Sequence, residues 1–132
     1  MRRPGGAAGR RLVVAAALAV LAVCAAACGV GGEPPPEVPG GSPAKGRLLL
    51  SRYGCSSCHT VPGVEGADAL VGPPLTAFGR RGYIAGQLPN SGPNLQRWIR
   101  KPSAVEPGTA MPDLGVTEQD ARDIAAYLFT LD

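Results

Sequence analysis

Cys55-Ser56-Ser57-Cys58-His59 is the stretch on which the reading of this chain turns. Two cysteines three positions apart fall on one face of a helical turn, and a histidine follows at once. C-x-x-C-H is the attachment sequence for a c-type haem. Both thiols can bond the two vinyl groups on one edge of a porphyrin, and the adjoining imidazole can swing under the ring to the iron. Two other chemistries use a C-x-x-C pair. A thioredoxin-like dithiol sits beside a βαβ pattern, and no strand run flanks residues 55–59. A structural zinc needs four ligands, whereas the remaining cysteines, Cys24 and Cys28, lie in an apolar N-terminal stretch.

The residue counts sharpen the haem reading. His59 is the only histidine of the chain, and Met111 is the only methionine besides Met1. A six-coordinate haem iron takes one axial ligand on each face, with His/Met as one common pairing. A methionine at an arbitrary position is usually a gap-filling core residue. Met111, however, stands without a rival in the loop Pro107-Gly108-Thr109-Ala110-Met111-Pro112. His59 and Met111 are therefore the candidate iron ligands, and one haem c is the candidate cofactor.

At 132 residues the chain suits one domain with an appendage. Arg2, Arg3, Arg10 and Arg11 precede the apolar run Leu12 to Ala27. That run is shorter than the ~20 residues of a membrane-spanning helix and suits the core of an export signal. Residues 1–28 are thus read as a signal segment, and Ala25-Ala26-Ala27-Cys28 resembles a lipobox, with lipidation and cleavage at Cys28. Two alternatives stand beside it: ordinary cleavage after Ala25-x-Ala27, and retention as a short anchor. Cys24 follows Val23 where a small residue is wanted. Residues 29–45, with five prolines and five glycines, read as a linker. As polyproline-like chain at about 3.1 Å per residue, it would reach roughly 50 Å.

From Gly29 onward the chain holds nine Lys/Arg and ten Asp/Glu, a formal net charge of −1. The +3 of the whole sequence therefore resides in the N-terminal segment, which removes the case for nucleic-acid binding. The charge is uneven along the domain. Seven cations lie from Arg47 to Lys101, while Asp113, Glu118, Asp120, Asp123 and Asp132 crowd the end.

Residues 46–132 predict an all-α domain of short helices. Leu48, Leu49 and Leu50 lie on a helix from Gly46 to Tyr53. Asn94 can cap a second helix carrying Leu95, Trp98 and Ile99, with Pro102 as its stop. Thr117-Glu118-Gln119-Asp120 looks like a capping box, opening a helix whose stripe Ile124, Tyr127, Leu128 and Leu131 needs a partner. The first helix is the obvious one. Large apolar side chains are scarce between these helices. A domain of this size is marginal on its own burial, so a porphyrin would complete the core.

From Lys45 to Asp132 the chain resembles the class I, mitochondrial-like c-type cytochromes, and its ending Met111-Pro112-Asp113-Leu114-Gly115-Val116-Thr117 is similar to bacterial members associated with respiratory oxidases. The resemblance implies the small cytochrome c fold, helices wrapped around one covalent haem. It is carried by Cys55, Cys58 and His59, then by Gly72-Pro73-Pro74-Leu75, Phe78-Gly79-Arg80, and the Trp98 to Met111 region. It implies that the Pro73 carbonyl accepts the ligand imidazole's N–H, that Arg80 and Thr109 contact haem propionates, that Trp98 packs near the methionine, and that Met111 is the sixth ligand. The ordinary alternatives are a solvated side chain for Arg80 and Thr109, and plain core for Trp98. The function implied is a single-electron carrier rather than an enzyme, a monomeric domain exchanging electrons with a terminal oxidase or dehydrogenase in an exported, periplasmic or outer-face location, membrane-attached through Cys28. The competing function is a haem enzyme or gas or peroxide sensor with a labile methionine ligand.

Overall fold

A computed structural model describes residues 36–132; the expectations for residues 1–35, including Cys28, lie outside the described residues. Four helices and one minimal hairpin make up the domain. Helix α1 spans Pro43–Arg52, α2 spans Gly92–Arg100, α3 is the single turn Pro102–Val105, and α4 spans Glu118–Leu128. Strands β1 (Tyr83–Ile84) and β2 (Leu88–Pro89) pair antiparallel, Tyr83 opposite Pro89. Two 3₁₀ turns, Cys55–Ser57 and Phe78–Arg80, complete the elements. An all-α reading therefore needs one amendment, since Ala85 and Gly86 turn the chain at positive φ and allow two residues on each side to pair.

The first and last helices form the centre of the fold. Leu49 and Leu50 of α1 and Ala121, Ile124, Ala125 and Leu128 of α4 are buried together. They approach at Gly46, where an added Cβ would lie 1.9 Å from the Asp123 carbonyl oxygen. Only glycine permits that separation. Tyr53, at the end of α1, donates its hydroxyl to the Asp120 carboxylate. This bond holds the Asp120 carboxyl below its usual range and pushes the Tyr53 phenol up. Leu48, by contrast, points outward and is 65% exposed.

The expected linker ends earlier than its composition suggests. Val38 is fully buried, and the Ser42 N–H donates to Asp123 Oδ1 at 2.8 Å. Gly92 lies so close to the Glu37 carbonyl that a Cβ there would meet its oxygen at 2.0 Å. Ser42 caps α1, accepting from the Lys45 N–H, and Pro43 takes the first helical turn. The reason is physical: prolines and glycines build tight turns as well as linkers, and one buried valine anchors this one.

One terminus assignment shifts, and two others hold with added detail. Ser91, not Asn94, caps α2 and accepts the Asn94 N–H, while the Asn94 amide donates to the Pro89 carbonyl. Pro102 does not only end α2; it occupies the first turn of α3, where its missing N–H costs nothing. Thr117 caps α4 as the sequence predicts, but Asp120 accepts from Tyr53 rather than making a reciprocal bond to the cap.

Candidate functional site

Residues 54–75 fold as a compact loop around the C-x-x-C-H sequence. Gly54 adopts φ +76°, turning the chain out of α1, and residues 55–57 form a 3₁₀ turn rather than an α-helical one. The N–H groups of Cys58 and His59 both donate to the Cys55 carbonyl, at 3.2 and 3.0 Å. In a 3₁₀ turn positions i and i+3 eclipse, so the two thiols stand one above the other. Both are free, and Cys55 packs against the hydrophobic core. Burial pushes the Cys55 thiol above its ordinary range.

His59 is held from two sides. Its Nδ1 lies 2.7 Å from the Pro73 carbonyl oxygen. A carbonyl only accepts, so Nδ1 carries the hydrogen and Nε2 keeps its lone pair. A Cβ on Gly72 would stand 2.4 Å from His59 Cε1 and 2.7 Å from Nδ1, so bare backbone lies against the ring. Two further bonds fasten this second segment to the first, Gly72 N–H to the Cys58 carbonyl at 2.7 Å and Leu75 N–H to the Thr60 carbonyl at 2.8 Å. The intervening loop closes on itself through Val61 N–H and the Ala67 carbonyl, with Val61, Val64 and Ala67 buried beneath it. Arg47 of α1 and Tyr127 of α4 hold its tip by donating to the Gly63 and Pro62 carbonyls.

Met111 sits in the loop between α3 and α4, half-buried against the same core as Cys55 and Leu75. Its N–H donates to the Thr109 hydroxyl oxygen at 3.3 Å, which leaves the hydroxyl hydrogen available to another acceptor. Asp113 closes the loop, accepting from Ser103 Oγ at 3.0 Å and Lys101 Nζ at 3.3 Å. Desolvation raises the Asp113 carboxyl, but these bonds outweigh it and the net shift is downward. Trp98 is buried in α2.

Arg80 is exposed, and its side chain makes no hydrogen bond or ion pair among the described residues. Its neighbour Arg81 is the engaged one, donating to the Pro74 and Thr76 carbonyls with its guanidinium 5.3 Å from the Phe78 ring centroid. No separate role for Arg81, Gly72 or Asn90 follows from the sequence alone. The Asn90 amide donates to the Phe78 carbonyl at 2.9 Å, while its Oδ1 is buried without a donor. Such an atom calls for a bound donor such as an ordered water. Nothing in the run Pro89-Asn90-Ser91 marks Asn90 out, because its importance comes from the chain that folds over it.

These features fit a porphyrin. Two free thiols stand on one turn, an imidazole offers Nε2, and bare glycine backbone packs against its ring. Among the described residues no group of three His, Cys, Asp or Glu is placed to hold a metal ion. Residues 43–132 match the sequence profile of the family described as Cytochrome c. This chain belongs to the cytochrome c family. It is a class I c-type cytochrome with covalently bound haem c. The cytochrome c domain is 39% identical over 88 residues to cytochrome c oxidase subunit 2 of Alkalihalophilus pseudofirmus, covering 66% of this chain and 25% of that protein. The same-named subunit of Bacillus sp. strain PS3 is 35% identical over 92 residues, covering 67% and 26%. That of Bacillus subtilis is 32% identical over 83 residues, covering 58% and 23%. The chain therefore spans about a quarter of the length of each of these relatives.

Proposed function

We propose that this cytochrome c passes single electrons to a membrane-bound cytochrome c oxidase, with haem c on Cys55 and Cys58, His59 and Met111 as axial ligands, and a lipid tether at Cys28. The observation that carries the reading is the match of this domain to part of oxidase subunit 2 in three bacteria, at 39% identity in one of them.

The haem supplies a one-electron couple with no bond to substrate. The protein's part is to position and tune. The Pro73 carbonyl fixes the His59 tautomer, so that Nε2 would be the atom offered to the iron. The Gly72 backbone limits rotation of the ring. Met111 offers a soft thioether, which favours the reduced state, and burial disfavours the added charge of the oxidised one. Thr109, Arg80 and the environment of Trp98 bear on the propionates and on the methionine side.

Met111→Ala tests ligation. The haem should stay covalently bound, the reduced protein should bind CO readily, and the potential should fall by on the order of 0.1 V, well inside the ~0.8 V that axial ligands command. An unsubstituted protein that binds CO as well as the variant does would remove Met111 from the iron and favour an enzyme or sensor.

The tether is tested separately, by mass spectrometry of the mature N-terminus. Two acyl chains give stable membrane attachment where one is marginal. A diacylated terminus at Cys28, lost in Cys28→Ser and kept in Cys24→Ser, is the expected result. An unmodified terminus at Cys28 would mean a soluble carrier, and an intact Arg2 or Arg3 an uncleaved anchor; either would rule out the lipid.

A further inference from the structure

Residues 110–116, which include Met111, exchange no backbone hydrogen bond with other backbone groups among the described residues. The last such bond before them joins the Thr109 N–H to the Glu106 carbonyl at 3.1 Å. The next, from the Ala121 N–H to the Thr117 carbonyl, already belongs to the start of α4. On its N-terminal side Met111 is tied to its neighbour, through its N–H and the Thr109 hydroxyl oxygen. On its C-terminal side two fastenings remain. Val116 is buried, and Asp113 accepts from Ser103 Oγ at 3.0 Å and Lys101 Nζ at 3.3 Å. Asp113 is also the one residue of these seven with a charged or strongly hydrogen-bonding side chain.

We propose that Asp113 is a positioning residue for Met111, pinning its loop to the start of α3 so that the thioether stays at the sixth ligand position. This rests on the ligation assigned to Met111 under the proposed function. Pro112 is the link between the two residues. Its ring fixes its own φ at about −65° and narrows the backbone choices of Met111 before it. The connection is short and stiff, so a shift of Asp113 carries Met111 with it. Ser103 supplies the stronger arm of the pin, because hydrogen bonds to carboxylates exceed neutral ones. The Lys101 side chain is 66% exposed, and exposed ion pairs contribute little. With the pin removed, residues 110–115 can swing out while every helix stays intact.

The test follows imidazole binding to the oxidised, haem-loaded full chain by the change in its visible spectrum. Imidazole must wait for Met111 to leave, so at high concentration the rate levels off at the rate of methionine release. Asp113→Ala should raise that limiting rate about tenfold, within what a hydrogen bond to a charged group contributes. Asp113→Asn keeps an acceptor for Ser103 and should stay within about twofold of the unsubstituted protein, as should Lys101→Ala. Ser103→Ala should act in the same direction as Asp113→Ala. Glu118→Gln, which disturbs the contacts to Arg100 and Arg122 instead, should change nothing. In a Met111→Ala background the further change Asp113→Ala should have no effect on imidazole binding, because there is no methionine left to hold.

Each contrary result is specific. If the unsubstituted protein takes up imidazole as fast as Met111→Ala does, with no limiting rate, Met111 is not a ligand and the inference falls with that reading. If a limiting rate exists and Asp113→Ala leaves it unchanged, only the role of Asp113 is overturned. Equal acceleration in the Met111→Ala background would mean that Asp113 screens the site without holding the methionine. A lower Tm with an unchanged limiting rate would reduce Asp113 to an ordinary loop closure.

Discussion

Gly46→Ala is expected to lower the Tm of the haem-loaded protein by about 10–25 °C. The added Cβ would stand 1.9 Å from the Asp123 oxygen, 2.6 Å from the Asp123 carbonyl carbon and 3.0 Å from the Ile124 Cα, all of them backbone atoms. No rotamer change relieves such a clash, so α1 and α4 must separate. Separation loosens Leu49 and Leu50 against Ile124 and Leu128, and weakens the Tyr53 bond to Asp120. Overpacking typically costs about 1–3 kcal/mol, and the upper end applies where backbone must move. Each kcal/mol shifts the Tm of a domain this small by about 4–8 °C. Thermal unfolding followed by far-ultraviolet circular dichroism measures the effect, and an unchanged Tm would mean that the helices do not cross at Gly46.

Cys55→Ser with Cys58→Ser should remove covalent haem and most of the stable fold. Denaturing gels stained for haem should be blank, soluble yield should fall several-fold, and the helical dichroism should be largely lost. Without haem, only the α1–α4 contact and a core rich in alanine, including Ala67, Ala121, Ala125 and Ala126, would be left to hold the fold. Beyond that contact, residues 54–77 and 101–116 are held mainly by single turn and loop bonds. A domain of this size buries little more than it needs to fold, so losing the central cofactor should decide the balance. A cooperative, helical double variant would show that the α1–α2–α4 core is sufficient without it.

The parts legible in the sequence were those encoded by neighbours along the chain. Cys55, Cys58 and His59 are contiguous, so their chemistry shows without a fold. The stripe on α4 repeats with helical period, and its partner followed from there being one other apolar helix near the start. The packing roles of Gly46 and Gly72 were hidden for the opposite reason. A glycine signals close approach only to a surface, and here those surfaces are Asp123 and His59, brought up by other segments. Val38 was hidden because a single buried valine cannot outweigh the prolines around it in a composition count. Ser91 and Asn94 are both good caps, and because the helix already begins at Gly92 the first takes the cap while the second falls inside the first turn.

The Ser42 bond to Asp123 joins residues 81 positions apart. Closing a loop of that length costs about 4 kcal/mol in chain entropy before any contact repays it. During synthesis α4 emerges after the other helices of the domain, so α1 lacks its main partner until residues 118–128 have been made. Throughout that interval the Cys55–Cys58 turn lies between two unclosed ends. The chain order thus sets a sequence of events: the turn that bears the thiols is enclosed only when the final helix docks on the first.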